Sequence, residues 1–90
     1  MNSVGLIGFG RFGKILSNIL NKRFKLKVYD IKPDKSFTNI EFVSLDEVIN
    51  EQNIFIAIPI RNFKNIIAEI SPKLKGNTII DVCSVKIEPV

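Results

Sequence analysis

The sequence predicts an α/β domain with a parallel sheet of about five strands and helices on both faces. Three observations support this fold class. Short apolar runs alternate with amphipathic helical segments, three glycines separate the first strand from the first helix, and an aspartate ends the second strand. Such alternation is typical of parallel sheets, in which right-handed crossovers join the strands.

The first strand is predicted over residues 3–7, an apolar run suited to burial on both faces of a sheet. A helix follows the glycines, because apolar residues recur there at helical spacing. The residues expected to face the sheet are Phe12, Ile15, Leu16, Ile19 and Leu20. Those expected to face solvent are Lys14, Ser17, Asn18, Asn21 and Lys22.

The second strand is predicted over residues 25–30, and Pro33 and Asp34 then signal a turn. A short third strand is predicted over 39–43. The connection of about nine residues between them is shorter than the dozen or more that a crossover usually needs. We therefore expect its helix to be shortened or missing, and one face of the sheet to be thinly covered there.

The second half of the chain continues the alternation. Ser44 and Glu47 have capping-box spacing and predict a brief helix, with Leu45, Val48 and Ile49 facing inward. A buried strand is predicted over 53–58 and is closed by Pro59. The next helix has its apolar period at Phe63, Ile66, Ile67, Ile70 and Leu74, is interrupted at Ser71 and Pro72, and is ended by Gly76. A fifth strand is predicted over 78–82.

Composition excludes several functional classes. The chain of 90 residues is 46% hydrophobic and 24% charged, as is typical of a globular domain. Its net charge of +4 comes from scattered lysines without interleaved aromatic residues, so we expect no nucleic-acid partner. The absence of histidine excludes histidine catalysis and histidine metal ligation within the chain, and no metal site is predicted.

The sequence also suggests a cellular compartment. No apolar run approaches the ~20 residues that span a bilayer, and the first residues lack the features of a signal peptide. A single cysteine, Cys83, cannot form an internal disulfide and fits a reducing compartment. We expect a cytoplasmic protein with no membrane partner.

The glycines at 8, 10 and 13 fit the G-x-G-x-x-G pattern of a Rossmann-like dinucleotide-binding fold. Gly8 permits the tight turn, Gly10 has no Cβ to obstruct a pyrophosphate, and Gly13 lets the helix lie close to the strand. Amides at the helix start would then face the phosphates. Asp30, 22 residues after Gly8, would accept hydrogen bonds from the adenosine ribose.

The cofactor favoured by this pattern is NAD, because the charge of Asp30 would repel the 2′-phosphate of NADP. Lys32 and Lys35 could offset that repulsion, so NADP stays open. Arg11 could neutralise pyrophosphate or be solvated. The residues predicted to contact the dinucleotide are Gly8, Phe9, Gly10, Arg11, Phe12, Gly13, Asp30, Ile31, Lys32, Ala57, Ile58 and Pro59.

Three segments, GLIGFGRFG, AIPI and DVCSVK, together resemble the prephenate and arogenate dehydrogenases of tyrosine biosynthesis. The resemblance implies oxidation of a cyclohexadienol by NAD or NADP with loss of carbon dioxide. It places Ser84 near the nicotinamide and the substrate hydroxyl, as a cofactor-binding and candidate catalytic residue. Cys83 is expected to be a small buried side chain, and Lys86 a surface lysine.

The same resemblance places the family's catalytic histidine downstream of Val90. Residues 1–90 are therefore expected to form part of a dinucleotide-binding domain, without its downstream half or the helical dimerisation domain. We expect this chain alone not to turn over substrate. The fifth strand would then be an exposed edge, and we expect self-association through it, which sedimentation at high concentration would test.

Other functions share the glycine turn. Hydroxyisobutyrate-type and pyrroline-carboxylate-type reductases have it, although we do not associate the S-V-K segment with them. A regulatory module that senses NAD would bind it without chemistry. Methyltransferases use a similar turn and a strand-end acid, but the third glycine and its helix packing favour a dinucleotide.

Overall fold

A computed structural model describes residues 2–32 and 39–82. Five strands and three helices follow one another in the order β1 (Ser3–Ile7), α1 (Arg11–Leu20), β2 (Lys25–Tyr29), β3 (Glu41–Phe42), α2 (Leu45–Val48), β4 (Asn53–Ile56), α3 (Ile60–Ile70), a 3₁₀ turn (Ser71–Lys73) and β5 (Thr78–Asp81). The strands form one parallel sheet in the order β3-β2-β1-β4-β5. The predicted α/β class is confirmed.

Side chains of the strands alternate between two apolar layers, because successive residues of a strand point to opposite faces. The layer on the α1 face contains Val4, Leu6, Leu26 and Val28. The layer on the other face joins Ile7, Ile54 and Ile56 to residues of α2 and α3. Helices therefore cover both faces of the sheet, as the sequence predicts.

The orientation of α1 differs from the prediction. Gly13, Ser17 and Leu20 are its buried residues, whereas Ile15 and Ile19 are 50% and 56% exposed. The small side chains of Gly13 and Ser17 let the helix backbone approach the sheet closely, so the helix is rotated toward that stripe. The Ser17 hydroxyl is satisfied inside the helix, since it donates to the carbonyl of Lys14 over 2.8 Å.

Two substitutions on α1 test this orientation. We expect Ser17→Leu to lower the free energy of unfolding by about 1–3 kcal/mol, because a larger side chain overfills the contact with the sheet. Ile19→Gln should change it by less than about 0.5 kcal/mol, because the side chain is exposed. Urea denaturation measures both values. A larger loss of stability in Ile19→Gln than in Ser17→Leu would mean that the apolar side of α1 is the buried one.

Several predicted strands are shorter in the structure. β3 spans 41–42 rather than 39–43, because it is an edge strand that pairs with β2 alone. β4 ends at Ile56 rather than at residue 58, and β5 ends at Asp81 rather than at residue 82. β2 ends at Tyr29, which leaves Asp30 just beyond the strand, in the first residue of the connection.

The cap of α2 is as predicted, since the Ser44 hydroxyl accepts a hydrogen bond from the Glu47 amide over 3.2 Å. In the first turn of α2, Asp46 accepts a hydrogen bond from the Lys73 ammonium group over 2.9 Å. This hydrogen bond and the negative charge of Asp46 raise the pKa of Lys73. Near β2 the two faces differ: Val28 is fully buried in the layer on the α1 face, where Phe9 and Phe42 contact edge to face. On the opposite face Lys27 and Tyr29 are only half-buried, which agrees with the expected thin cover of one face.

Some sequence predictions lie outside the described residues. These are the turn at Pro33 and Asp34, the charge of Lys35, and the segment containing Cys83, Ser84 and Lys86. No helix in the described ranges has the length and apolar character needed to cross a membrane. Within the same ranges, no group of acidic, cysteine or histidine side chains could hold a metal ion.

Candidate functional site

The candidate site lies at the carboxyl ends of β1, β2 and β4. β1 is the centre of the sheet and pairs with β2 on one side and β4 on the other. The chain therefore leaves β1 toward one side of the sheet and later returns to build the other. Ligands of open α/β sheets bind in the crevice that opens at such a reversal of strand order.

The glycine turn joins β1 to α1 under tight steric limits. Gly8 has a φ of 106°, which side chains rarely adopt, and a Cβ there would overlap with the carbonyl oxygen of Ala57. A Cβ at Gly13 would overlap with the carbonyl oxygen of Gly8. These two contacts hold the turn against β4 and α1 against the turn, which agrees with the roles predicted for both glycines.

Gly10 is different, because it faces open space. A Cβ there would meet no heavy atom of the described residues within 4 Å. Gly10 is also the N-cap of α1, and in the described structure neither a side-chain cap nor a first-turn acid satisfies the amides of that turn. Free amides and the positive end of the helix dipole thus face an open space at the turn, an arrangement that favours an anion.

Asp30 links β2 to the glycine turn. One carboxylate oxygen, Oδ2, accepts a hydrogen bond from the Phe9 amide over 2.6 Å, and the other, Oδ1, accepts from the Lys32 amide over 2.9 Å. Each oxygen keeps a second lone pair for a ligand. Asp30 therefore holds the turn in place while it presents its charge to the crevice.

Two clefts open on either side of the end of β4. The larger, of about 350 Å³, lies between the ends of β1 and β2 and the helix α3. The smaller, of about 230 Å³, lies between the start of α1 and the end of β5. Ile58 and Pro59 line both clefts, so the two clefts adjoin at these residues and together make up the crevice at the reversal of strand order.

The structure brings most of the predicted site residues to this crevice. The larger cleft is lined by Gly8, Asp30, Ile31, Ile58 and Pro59, and the smaller one by Gly10, Arg11, Phe12, Ala57, Ile58 and Pro59. Lys32 is exposed and contributes its amide to Asp30. Gly13 lines neither described cleft and packs against the backbone of Gly8. Ser84 lies outside the described residues.

Phe9 contributes in an unexpected way. Its side chain is 5% exposed and packs against Phe42, with the ring centroids 5.1 Å apart. The ring therefore belongs to the apolar layer on the α1 face, and only its backbone reaches the site, through the amide bonded to Asp30. A ligand contact through the Phe9 ring would need that layer to open.

Sequence reasoning missed the residues that α3 supplies. Asn62, Asn65, Ile66 and Glu69 line the larger cleft together with Tyr29. The available signal was their spacing: positions 62, 65, 66 and 69 recur on one side of a helix. A polar stripe of this kind is indistinguishable from a solvent-facing stripe until the helix is placed beside the end of β2.

A dinucleotide-binding domain of the Rossmann type is defined by the strand order, the glycine turn, the strand-end acid and the two adjoining clefts. The open space at Gly10 fits a diphosphate, and the position of Asp30 fits a ribose. The chain belongs to the family described as NADP oxidoreductase, coenzyme F420-dependent, whose model matches residues 3–84. The chain thus combines a dinucleotide-binding fold with membership of an oxidoreductase family.

A solved structure supports the fold. An imine reductase from Pseudomonas sp. is similar to this chain with a TM-score of 0.75 and 22% sequence identity. The similarity covers 89% of this chain and 31% of the imine reductase, so the chain spans about a third of that protein's length. No curated protein matches this sequence.

Proposed function

We propose that this chain is the nucleotide-binding part of an oxidoreductase that uses NAD in preference to NADP. The observation that carries the proposal is the glycine turn with Asp30 bonded to it, opening on a crevice at the reversal of strand order. NAD(P) supplies hydride transfer when bound. The α1 amides and Arg11 would hold the diphosphate, and Asp30 would hold the adenosine ribose.

The preference for NAD rests on the charge of the larger cleft. Two of its lining residues, Asp30 and Glu69, carry carboxylates, and none of its described lining residues is a lysine or arginine. A 2′-phosphate on the ribose would add negative charge beside these acids, with no cation among the described lining residues to offset it. The family's description names NADP, and the proposed preference for NAD would set this chain apart from that description.

The orientation of the reacting ring would depend on the smaller cleft. Apart from Arg11, its lining residues are apolar or glycine: Gly10, Phe12, Ala57, Ile58, Pro59 and Val82. An apolar cleft holds a flat ring by contact and keeps water from one of its faces. The chain's contribution to catalysis would be positioning.

For the substrate, we propose a cyclohexadienol of the prephenate or arogenate type, from the resemblance of the DVCSVK segment at residues 81–86. A second candidate is reduction of a carbon–nitrogen double bond, suggested by the name of the similar imine reductase. In a protein containing this chain, prephenate-dependent formation of NADH would favour the first, and consumption of reduced cofactor with a cyclic imine the second. Saturable NAD binding with neither activity would favour a regulatory NAD sensor.

Replacing Asp30 by asparagine tests the cofactor assignment. Asp30→Asn removes the charge but keeps one oxygen as an acceptor for the turn. We expect the ratio of NAD to NADP affinity to fall about tenfold, because a neutral side chain no longer opposes the 2′-phosphate. Calorimetric titration of the purified chain with each dinucleotide measures this ratio.

The matched control is Asp46→Asn, which makes the same change of net charge at an acid that lines neither described cleft and pairs with Lys73. The control should leave the affinity ratio unchanged. If both variants shifted the ratio equally, net charge rather than Asp30 would determine the preference. If neither did, the charge of Asp30 would have no part in the preference for NAD over NADP.

A further inference from the structure

The larger cleft contains more recognition chemistry than a ribose needs. Beyond Asp30, one side of α3 presents three polar side chains to it, Asn62, Asn65 and Glu69. These positions are separated by three and four residues, so they form one stripe along the helix. The cleft therefore has a polar wall that the proposed contacts to diphosphate and ribose leave unused.

An apolar surface faces the same cleft. Ile31 directly follows Asp30, lines the cleft and is 77% exposed, the largest exposed fraction among the large hydrophobic side chains that the structure describes. Ile66 also lines the cleft from α3 and is half-buried. A flat aromatic group bound here would remove the surface of Ile31 from water, which favours binding. The cleft thus combines an apolar contact with a polar wall.

The amide groups on the wall are available. Within the described part of the chain, the side chains of Asn62 and Asn65 make no hydrogen bond to the protein. Each carries two N–H donors and a carbonyl acceptor, while Glu69 is an acceptor only. Paired donors and acceptors on one amide match the edge of adenine, where the 6-amino group donates and N7 accepts.

We infer that Asn62 and Asn65 read the edge of the adenine base, so that the site selects adenine over a purine with a carbonyl at position 6. This inference rests on the proposed function, because it assigns the base of the same dinucleotide. A carbonyl oxygen at position 6 cannot donate to an asparagine carbonyl, and it lies unfavourably beside the carboxylate of Glu69. The paired contact of one side-chain amide with the 6-amino group and N7 would then be reduced to a single hydrogen bond, while contact with Ile31 stayed.

Calorimetric titration with NAD and with nicotinamide hypoxanthine dinucleotide tests the inference. The analogue differs from NAD only in the base, where a carbonyl replaces the 6-amino group. We expect the chain to bind NAD about tenfold more tightly, since one paired contact to a base edge gives discrimination of this order. In Asn62→Ala and Asn65→Ala that ratio should fall toward one, with most of the change in the affinity for NAD.

The control is Asn18→Ala, a change of the same side chain at an exposed position of α1 that lines neither described cleft. It should keep the wild-type ratio. Alanine is a better helix former than asparagine, so all three variants should fold, which circular dichroism checks. Equal binding of the two dinucleotides by the wild type, or an unchanged ratio in both cleft variants, would overturn the inference. Failure of the folded wild type to bind NAD would overturn the proposed function and this inference with it.

Discussion

Gly10→Ala is expected to weaken NAD binding by about tenfold to a hundredfold without unfolding the chain. Gly10 faces open space at the start of α1, and a Cβ there meets nothing among the described residues within 4 Å. The added methyl group would instead occupy the space proposed for the diphosphate. The loss of one or two charge-assisted hydrogen bonds to the α1 amides accounts for the size of the effect.

Stability provides the control for this variant. Gly10 has a φ of −76°, which alanine adopts without strain. Alanine makes the unfolded chain less flexible, which stabilises the folded variant. Alanine is also a poorer N-cap than glycine, which destabilises it. The free energy of unfolding should therefore change by less than about 1 kcal/mol. Undiminished NAD affinity in a folded Gly10→Ala protein would remove the diphosphate from this position.

Gly8→Ala should have the opposite profile, with a large loss of stability. The position combines a φ of 106° with a Cβ that would overlap with the Ala57 carbonyl oxygen. Adding the backbone strain to the cost of displacing β4, we expect the free energy of unfolding to fall by about 3 kcal/mol or more. Because a domain of this size is stabilised by roughly 5–10 kcal/mol, urea denaturation would show a much lower midpoint.

Gly76→Ala separates the cost of the backbone conformation from the cost of the close contact with β4. Gly76 also has a positive φ, 73°, but a Cβ there would contact nothing in the described structure within 4 Å. It should cost about 1–2 kcal/mol, from backbone conformation alone. Equal losses in the two variants would mean that the close contact between Gly8 and Ala57 contributes nothing to stability.

The sequence predicts the framework of the site because that framework depends on local constraints. Gly8 and Gly13 were placed by a spacing that reflects backbone clearance, and the structure contains both close contacts. The position of Asp30 followed from its spacing of 22 residues after Gly8 and its place at the end of the second predicted strand. That both of its oxygens already accept backbone amides was not predictable, since those bonds depend on how the turn folds over β2.

The rest depends on tertiary packing. Apolar periodicity favoured Ile15 and Ile19 as buried residues of α1, but the close approach of Gly13 to Gly8 rotates the helix onto Ser17. The periodicity of apolar residues indicates which side of a helix is most apolar. It does not indicate how closely the helix backbone approaches the sheet. Asn62 and Asn65 were missed for a related reason, because only the position of α3 beside β2 makes a polar helix face into a cleft wall.

The central claim is that the amides at the start of α1 face a diphosphate, with Asp30 at the adjoining ribose. A ¹H–¹⁵N NMR titration of the labelled chain with NAD tests it most directly. We expect the largest shift changes at the amides of residues 8–13 and 30–32, with smaller ones beside Ile58. Saturating changes confined to other parts of the sheet, or none at all in a folded chain at millimolar NAD, would contradict the account.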